Sequence, residues 1–302
     1  MKAIITGATG FIGVALCREL LKNGCDITAV IRPNSAKVSK LTGLQTGTGT
    51  LKIIELPLEQ LRSLPERVEC ADVLYHLAWN GSSGADREDF DMQYANIAYT
   101  ASAVQAAKAC GCKKIIVSGS QAEYGVINTL ANEKNTVPKP FMMYGAAKLS
   151  AYHMASVLAK QMDIPLVWAR IYSVYGVGEN AGTLISYLVE SLKAGETPAL
   201  SPCQNMWNFM YITDCARALC RLGEYSEAEG IYNVASDDTR LLREFVEQVR
   251  DIIAPDAKLG FNAKKSDPRR TFWLEPDCGR LKQMGFQCEV PFAEGIRRQS
   301  EK

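Results

Sequence analysis

The sequence predicts an α/β protein, a doubly wound parallel sheet with a smaller C-terminal lobe. Three observations carry this. Short apolar runs alternate with helix-length segments through the first half of the chain. The runs are continuous in Val, Ile and Leu rather than alternating, as strands buried on both faces require. A triplet of glycines separates the first run from the first helix.

The elements follow in order. Lys2–Thr6 is the first strand and Phe11–Lys22 the first helix, with Ile12, Leu16 and Leu20 in one i, i+4 row. Asn23-Gly24 stops it, as a helix C-terminus should. Strands are expected at Asp26–Ile31, 51–56, 73–77, 114–118 and 165–171. Helices are expected at Phe90–Ala109 and 144–162, completing a βαβ rhythm. Beyond residue 172 the rhythm loosens. Helices at 184–194, 215–222 and Leu242–Ile253 flank strands at 208–212 and 231–234. Residues 1–172 form the expected dinucleotide-binding domain, with 209–236 returning to it. Residues 173–208 and 237–302 form the expected substrate-binding lobe.

Composition excludes several classes. Thirty-four Lys and Arg against 33 Asp and Glu give a net charge of +1 in 302 residues, without the basic excess of a nucleic-acid binder. No apolar run reaches the roughly 18 residues of a membrane span. Ten scattered cysteines with no CxxC pair, behind a start that runs straight into a strand, point to reduced thiols and a cytoplasmic location. Two histidines and no thiolate spacing give no metal site.

Thr6-Gly7-Ala8-Thr9-Gly10-Phe11-Ile12-Gly13 spaces its glycines as G-x-x-G-x-x-G at a strand-to-helix turn. A turn without side chains lets a pyrophosphate reach backbone amides, and the helix N-terminus adds partial positive charge. Gly13 lets the helix pack close to the sheet. The second strand ends Val30-Ile31-Arg32-Pro33, with no carboxylate for the ribose hydroxyls of NAD. Arg32, with Lys37 nearby, suits a 2′-phosphate instead, so NADP is expected rather than NAD.

Tyr144-Gly145-Ala146-Ala147-Lys148 places a phenol and an ammonium one helical turn apart on one face. An adjacent ammonium stabilises the phenolate and is expected to lower the phenol pKa from about 10. Such a tyrosine exchanges a proton with a carbonyl or alcohol oxygen. Ser120 follows the fifth strand, at the strand end where open α/β sheets place their sites, and its hydroxyl can hold the same oxygen.

With these motifs the chain resembles the extended short-chain dehydrogenase/reductase family, the nucleotide-sugar epimerases, dehydratases and reductases on the Rossmann fold. The resemblance spans nearly the whole length. It includes TGATGFIG, Asp72-Val73-Leu74-Tyr75-His76-Leu77-Ala78, Asn96, Ser120, YGAAK, Arg170-Ile171-Tyr172-Ser173-Val174-Tyr175-Gly176 and Phe209-Met210-Tyr211-Ile212-Thr213-Asp214. It implies a catalytic set of Ser120, Tyr144 and Lys148. It implies cofactor contacts from Gly7, Thr9, Gly10, Phe11, Ile12, Gly13, Arg32, Leu77, Ala78, Tyr144, Lys148, Tyr172 and Val174. Asn96 would be structural, His76 a core histidine, and helices Phe90–Ala109 and 144–162 a homodimer interface.

Departures narrow the reading. Family dehydratases carry Asp-Glu directly after the catalytic Ser or Thr; here Gln121-Ala122 stand there, so dehydration is not expected. Glu123 is expected to pack or bind water. Trp207 stands where the family has Arg, and Ser173 where it has Asn. Gln121, Ser173, Trp207 and Arg270, with Arg269 beside it, are the candidate substrate contacts, the arginines as a diphosphate clamp. The expected function is NADPH-dependent reduction of a nucleotide-linked 4-keto-6-deoxyhexose. A 4-epimerase using the same residues, and a non-catalytic NADP sensor on this fold, are the alternatives.

Overall fold

The protein is described from a computed structural model covering residues 1–44, 47–265 and 273–301. The first half builds β1 (Lys2–Thr6), α1 (Phe11–Lys22), β2 (Asp26–Ile31), the single turn α2 (Ser39–Thr42), β3 (Leu51–Glu55), β4 (Val73–His76), α3 (Phe90–Ala109), β5 (Lys114–Ser120), α4 (Met143–Gln161) and β6 (Leu166–Ile171). The second half adds β7 (Ser173–Tyr175), α5 (Leu184–Lys193), β8 (Met206–Tyr211), α6 (Ile212–Glu224), β9 (Gly230–Val234), β10 (Thr239–Leu241), α7 (Leu242–Ile253), α8 (Gly279–Gln283) and α9 (Phe292–Ser300).

Seven strands form one parallel sheet in the order β3-β2-β1-β4-β5-β6-β9. The expected doubly wound, Rossmann-like sheet is therefore present. Successive side chains of each strand enter opposite layers. Ile4, Val30 and Leu74 pack beneath α3 and α4, while Ile5, Ile31 and Tyr75 pack beneath α1 and α6. Both layers are apolar, which is why the strands read as unbroken hydrophobic runs. Helix α1 ends in a Schellman turn: Gly24 has φ +73° and the Cys25 amide donates back to the Leu20 carbonyl at 2.9 Å.

Strands β7, β8 and β10 form a second sheet, with β8 in the middle. It packs with α5, α7 and α9 around Phe209, Phe245 and Phe292, whose rings meet at 4.7–5.8 Å. Within the span 209–236, residues 209–211 pair in this small sheet, whereas α6 and β9 join the large one. Asn208 fixes that crossing: it is fully buried, and its amide group donates to the Ser236 carbonyl and Thr239 hydroxyl, each at 2.9 Å.

The strand order reverses between β1 and β4, which lie side by side with Thr6 opposite His76. A crevice opens at such a reversal, outside the carboxyl ends of the strands. Gly7 stands there at φ +71°, and a Cβ on it would lie 2.6 Å from the Ala78 amide nitrogen. Gly7→Ala is thus expected to lower stability by about 1–3 kcal/mol, through backbone strain and overpacking together. Urea denaturation measures this; an unchanged midpoint would show that the crevice relaxes freely.

Candidate active site

The loop after β1 is a cradle with backbone walls. A Cβ on Gly13 would lie 2.2 Å from the Gly7 carbonyl oxygen, so α1 sits as close to the turn as glycine allows. The N-cap of α1 is Gly10, which supplies no side-chain cap and leaves the first-turn amides facing outward. Thr9, Phe11 and Ile12 are half-buried around it. This cradle fits the pyrophosphate of a dinucleotide. Leu77 and Ala78, half-buried, form its other wall at the end of β4. His76 is buried there, its Nδ1 2.9 Å from the Thr6 hydroxyl. Burial, aided by the Lys148 charge, pushes its pKa down to about 3, so it is a neutral core group. Asn96 holds the following loop: its Oδ1 accepts from the Asn80 amide and its Nδ2 donates to the Asn80 carbonyl, both at 2.9 Å. Arg32 and Lys37 are exposed just beyond β2.

Ser120 ends β5 and begins a short 3-10 turn, Gln121–Glu123. Its hydroxyl accepts from the Ala122 amide at 3.1 Å. The Glu123 carboxylate, fully buried, accepts from the Ser120 amide at 2.7 Å. It also accepts from the Trp168 indole at 2.9 Å and pairs with the Arg170 guanidinium at 2.7 Å. Of the two expectations for Glu123, packing is the one the structure shows. Its three-residue distance from Ser120 closes a capping box, and the same carboxylate neutralises a buried arginine. Gly119 permits this, since a Cβ there would meet the Trp168 Nε1 at 2.3 Å and the Glu123 Oε1 at 2.7 Å.

Tyr144 and Lys148 lie in the first turns of α4. Tyr144 is half-buried, and the Ser120 side chain hydrogen-bonds its hydroxyl. The structure thus brings Ser120 and Tyr144 together as expected. The Lys148 Nζ lies 5.9 Å from the Tyr144 ring centroid, with its hydrogen bond turned to Ser118. Burial pushes the Tyr144 phenol above its usual range; the Ser120 hydrogen bond and the Arg87 charge oppose this, and the Glu123 charge adds to it. Lys148 is buried, donates to the Ser118 carbonyl at 2.6 Å, and sits 3.7 Å from the Trp79 ring centroid. Burial pushes this ammonium down to about 7, against the pull of Glu123.

Sequence reading missed Trp79 and Arg87. The Trp79 indole donates to Gln93 Oε1 at 2.9 Å, and its ring meets Tyr144 edge-on at 6.1 Å. The Arg87 guanidinium carbon lies 4.5 Å from the Tyr144 ring centroid. Both come from the loop after β4, where no motif marks them.

Of the candidate substrate contacts, Gln121, Ser173 and Trp207 are half-buried, on the turn after Ser120, on β7 and on β8. Val174 is half-buried beside Ser173. Among the described residues the hydroxyl of buried Tyr172 and the indole Nε1 of Trp207 have no hydrogen-bond partner, and both rings belong to one cluster with Tyr124. Arg269 and Arg270 lie outside the described residues.

The model of the family described as "NAD dependent epimerase/dehydratase family" matches residues 3–235. An uncharacterized UDP-glucose epimerase of Bacillus subtilis is 27% identical over 295 residues, covering 94% of this chain and 92% of the relative. A dTDP-4-dehydro-6-deoxyglucose reductase of Escherichia coli is 25% identical over 272 residues, covering 85% and 84%. The crystal structure of UDP-glucuronic acid 4-epimerase from Bacillus cereus, in complex with UDP-glucuronic acid and NAD, superposes with a TM-score of 0.85 at 24% identity, covering 100% of this chain and 98% of that one. That last likeness concerns the fold.

Glu123→Gln removes one partner of a desolvated ion pair and leaves Arg170 charged in the core. The expected loss is about 3–5 kcal/mol of folding stability. Calorimetry reads it; a loss below about 1 kcal/mol would show that the pair is dispensable to the fold.

Proposed function

The chain belongs to the NAD dependent epimerase/dehydratase family, and from that membership we propose that it is an NADPH-dependent reductase of a nucleotide-linked 4-keto-6-deoxyhexose. The observation that carries the reading is the Ser120–Tyr144 pair, followed after Ser120 by Gln121 and Ala122 rather than by acids. Glu123, the acid in sequence nearest after Ser120, is committed to Arg170, Trp168 and the Ser120 amide. Removal of water across two carbons needs an acid and a base beside the reacting atoms. Gln121 and Ala122 offer neither, so simple exchange at one carbonyl carbon remains.

The dinucleotide, when bound, supplies or takes up the hydride. The chain's own groups do the rest. Gly7, Thr9, Gly10, Phe11, Ile12 and Gly13 hold the pyrophosphate, with Leu77, Ala78, Tyr172 and Val174 lining the same crevice. Arg32 receives the 2′-phosphate, which favours NADP over NAD. Ser120 orients the substrate carbonyl, and the Tyr144 phenol gives its proton to that oxygen. Lys148 anchors the ribose and completes the polar wall. Gln121, Ser173, Trp207 and Arg270 are assigned to the substrate. The division into a dinucleotide half and a substrate lobe, with the sugar between them, is part of this reading. So is a cytoplasmic location, in keeping with ten free cysteines and with no helix among the described residues long and apolar enough to cross a membrane.

A 4-epimerase is the second reading, favoured by the relative named a UDP-glucose epimerase. The same residues would then work in both directions at one carbon, with no net cofactor consumption.

Two results are expected. The wild type oxidises NADPH stoichiometrically with a nucleotide-linked 4-keto sugar, faster than NADH, and Tyr144→Phe loses at least about 100-fold in kcat. Isomerisation of a nucleotide sugar without NADPH loss would favour the epimerase, and equal turnover in the variant would end the catalytic assignment. The chain is also expected to form a homodimer through α3 and α4, where Phe90, Tyr94, Met154 and Val157 are all at least 60% exposed. Light scattering should give twice the chain mass, and Tyr94→Glu with Val157→Glu the chain mass.

A further inference from the structure

Two cations stand at the Tyr144 ring, and the sequence motif accounts for only one. Lys148 Nζ lies 5.9 Å from the ring centroid, and its hydrogen bond goes to the Ser118 carbonyl while its charge faces Trp79. The guanidinium carbon of Arg87 lies closer, at 4.5 Å. Arg87 comes from a separate element, the 3-10 turn Gly84–Glu88 that precedes α3. This turn is pinned against the catalytic helix, because Glu88 Oε2 accepts from the Met143 amide at the start of α4 at 3.1 Å. Its middle is pinned by Gln93, whose Nε2 donates to the Asp86 carbonyl at 2.9 Å.

Among the described residues no carboxylate pairs with Arg87. Its acidic neighbours are turned to helix starts: Glu88 to α4, and Asp89 Oδ1 to the Met92 amide of α3 at 2.9 Å. The Arg87 Nε is buried with no hydrogen-bond partner among the described residues. An arginine half-buried over a phenol, uncompensated by any acid, costs desolvation that needs a compensating interaction. Negative charge on the ring beneath it provides one.

We infer that Arg87 is a positioning residue of this site, a second cation that acts through Tyr144 by holding positive charge against the phenol when it gives up its proton. In this arrangement Lys148 shapes the wall beside the crevice, and Arg87 supplies the nearer charge. The inference rests on the proposed role of Tyr144. The other groups about the phenol are Ser120 from β5, Glu123 from the following turn, Lys148 from the same helix and the uncharged Trp79, while Glu88 beside Arg87 is engaged with the Met143 amide. Ser120 and Arg87 favour the phenolate, while Glu123 and burial oppose it. Loss of Arg87 therefore moves the phenol's titration to higher pH.

The experiment reads the phenol directly, without substrate. Tyrosinate absorbance is titrated in the full-length protein, and the Tyr144→Phe curve is subtracted to isolate Tyr144. Arg87→Met is expected to move that titration up by about one pH unit or more. Arg87→Lys, which keeps the charge, is expected to return most of the shift. The alkaline limb of kcat/KM for carbonyl reduction should move by the same amount, with KM changed less than kcat. Circular dichroism melts verify that each variant is folded; should Arg87→Met unfold, Arg87→Gln carries the same prediction. An Arg87→Met or Arg87→Gln titration that coincides with wild type, or an Arg87→Lys curve shifted as far as theirs, overturns the role given to Arg87. Undiminished turnover by Tyr144→Phe instead overturns the catalytic reading of Tyr144, an outcome separable from the first.

Discussion

The Glu123 carboxylate sits in the core beneath the site, accepting from the Ser120 amide and the Trp168 indole and neutralising Arg170. It ties three elements to one point: the end of β5, the turn that follows, and β6. The ends of β5 and β6 lie in register, with Ser120 opposite Ile171, so the same tie fixes where the chain leaves the sheet toward β7. Arg170 in turn lies 4.4 Å from the Tyr124 ring centroid, and the Tyr124 hydroxyl donates to Asn233 at 2.8 Å in β9. A polar chain so fully satisfied is rigid in a medium of low dielectric. It holds Ser120 at the surface of the crevice without using the Ser120 hydroxyl against the carboxylate.

The crevice itself depends on backbone approaching backbone. Gly7 and Gly13 admit no side chain, and Gly119 leaves room for Trp168 and Glu123 behind the serine. Two contrasting surfaces result. The glycine turn presents amides and a helix terminus, suited to phosphate. The β5–α4 side presents hydroxyls and buried cations, suited to a polarised carbonyl. The reversal of strand order between β1 and β4 brings both to one edge of the large sheet.

Charge near the phenol is spread over several elements. Lys148 spends its hydrogen bond on the Ser118 carbonyl and its charge on the face of Trp79, and burial lowers its pKa against the pull of Glu123. Trp79, held by Gln93, is therefore a structural partner of the lysine as well as an edge contact for Tyr144. The family motif places the lysine one turn from the tyrosine, but the surrounding aromatic and carbonyl groups decide where its charge acts.

The sequence alone determined the large sheet. Continuous apolar runs specify strands covered on both faces, and the predicted helix Phe90–Ala109 matches the structure at both ends because Asp89 caps it and Cys110-Gly111 ends it. The glycine spacing and the Tyr144–Lys148 pair are local patterns, so they were legible without a fold. The fate of Glu123 was not, since its partners Trp168 and Arg170 lie 45 and 47 residues away. Nor was the placement of residues 206–211, whose short apolar run suits either sheet until β7 and β10 pair with it. Arg87 and Trp79 carry no motif at all; only the folding of the loop after β4 onto α4 brings them to the phenol. Local periodicity encodes what a segment becomes, whereas the charge around a buried group is set by residues distant in sequence, and only the tertiary structure brings those together.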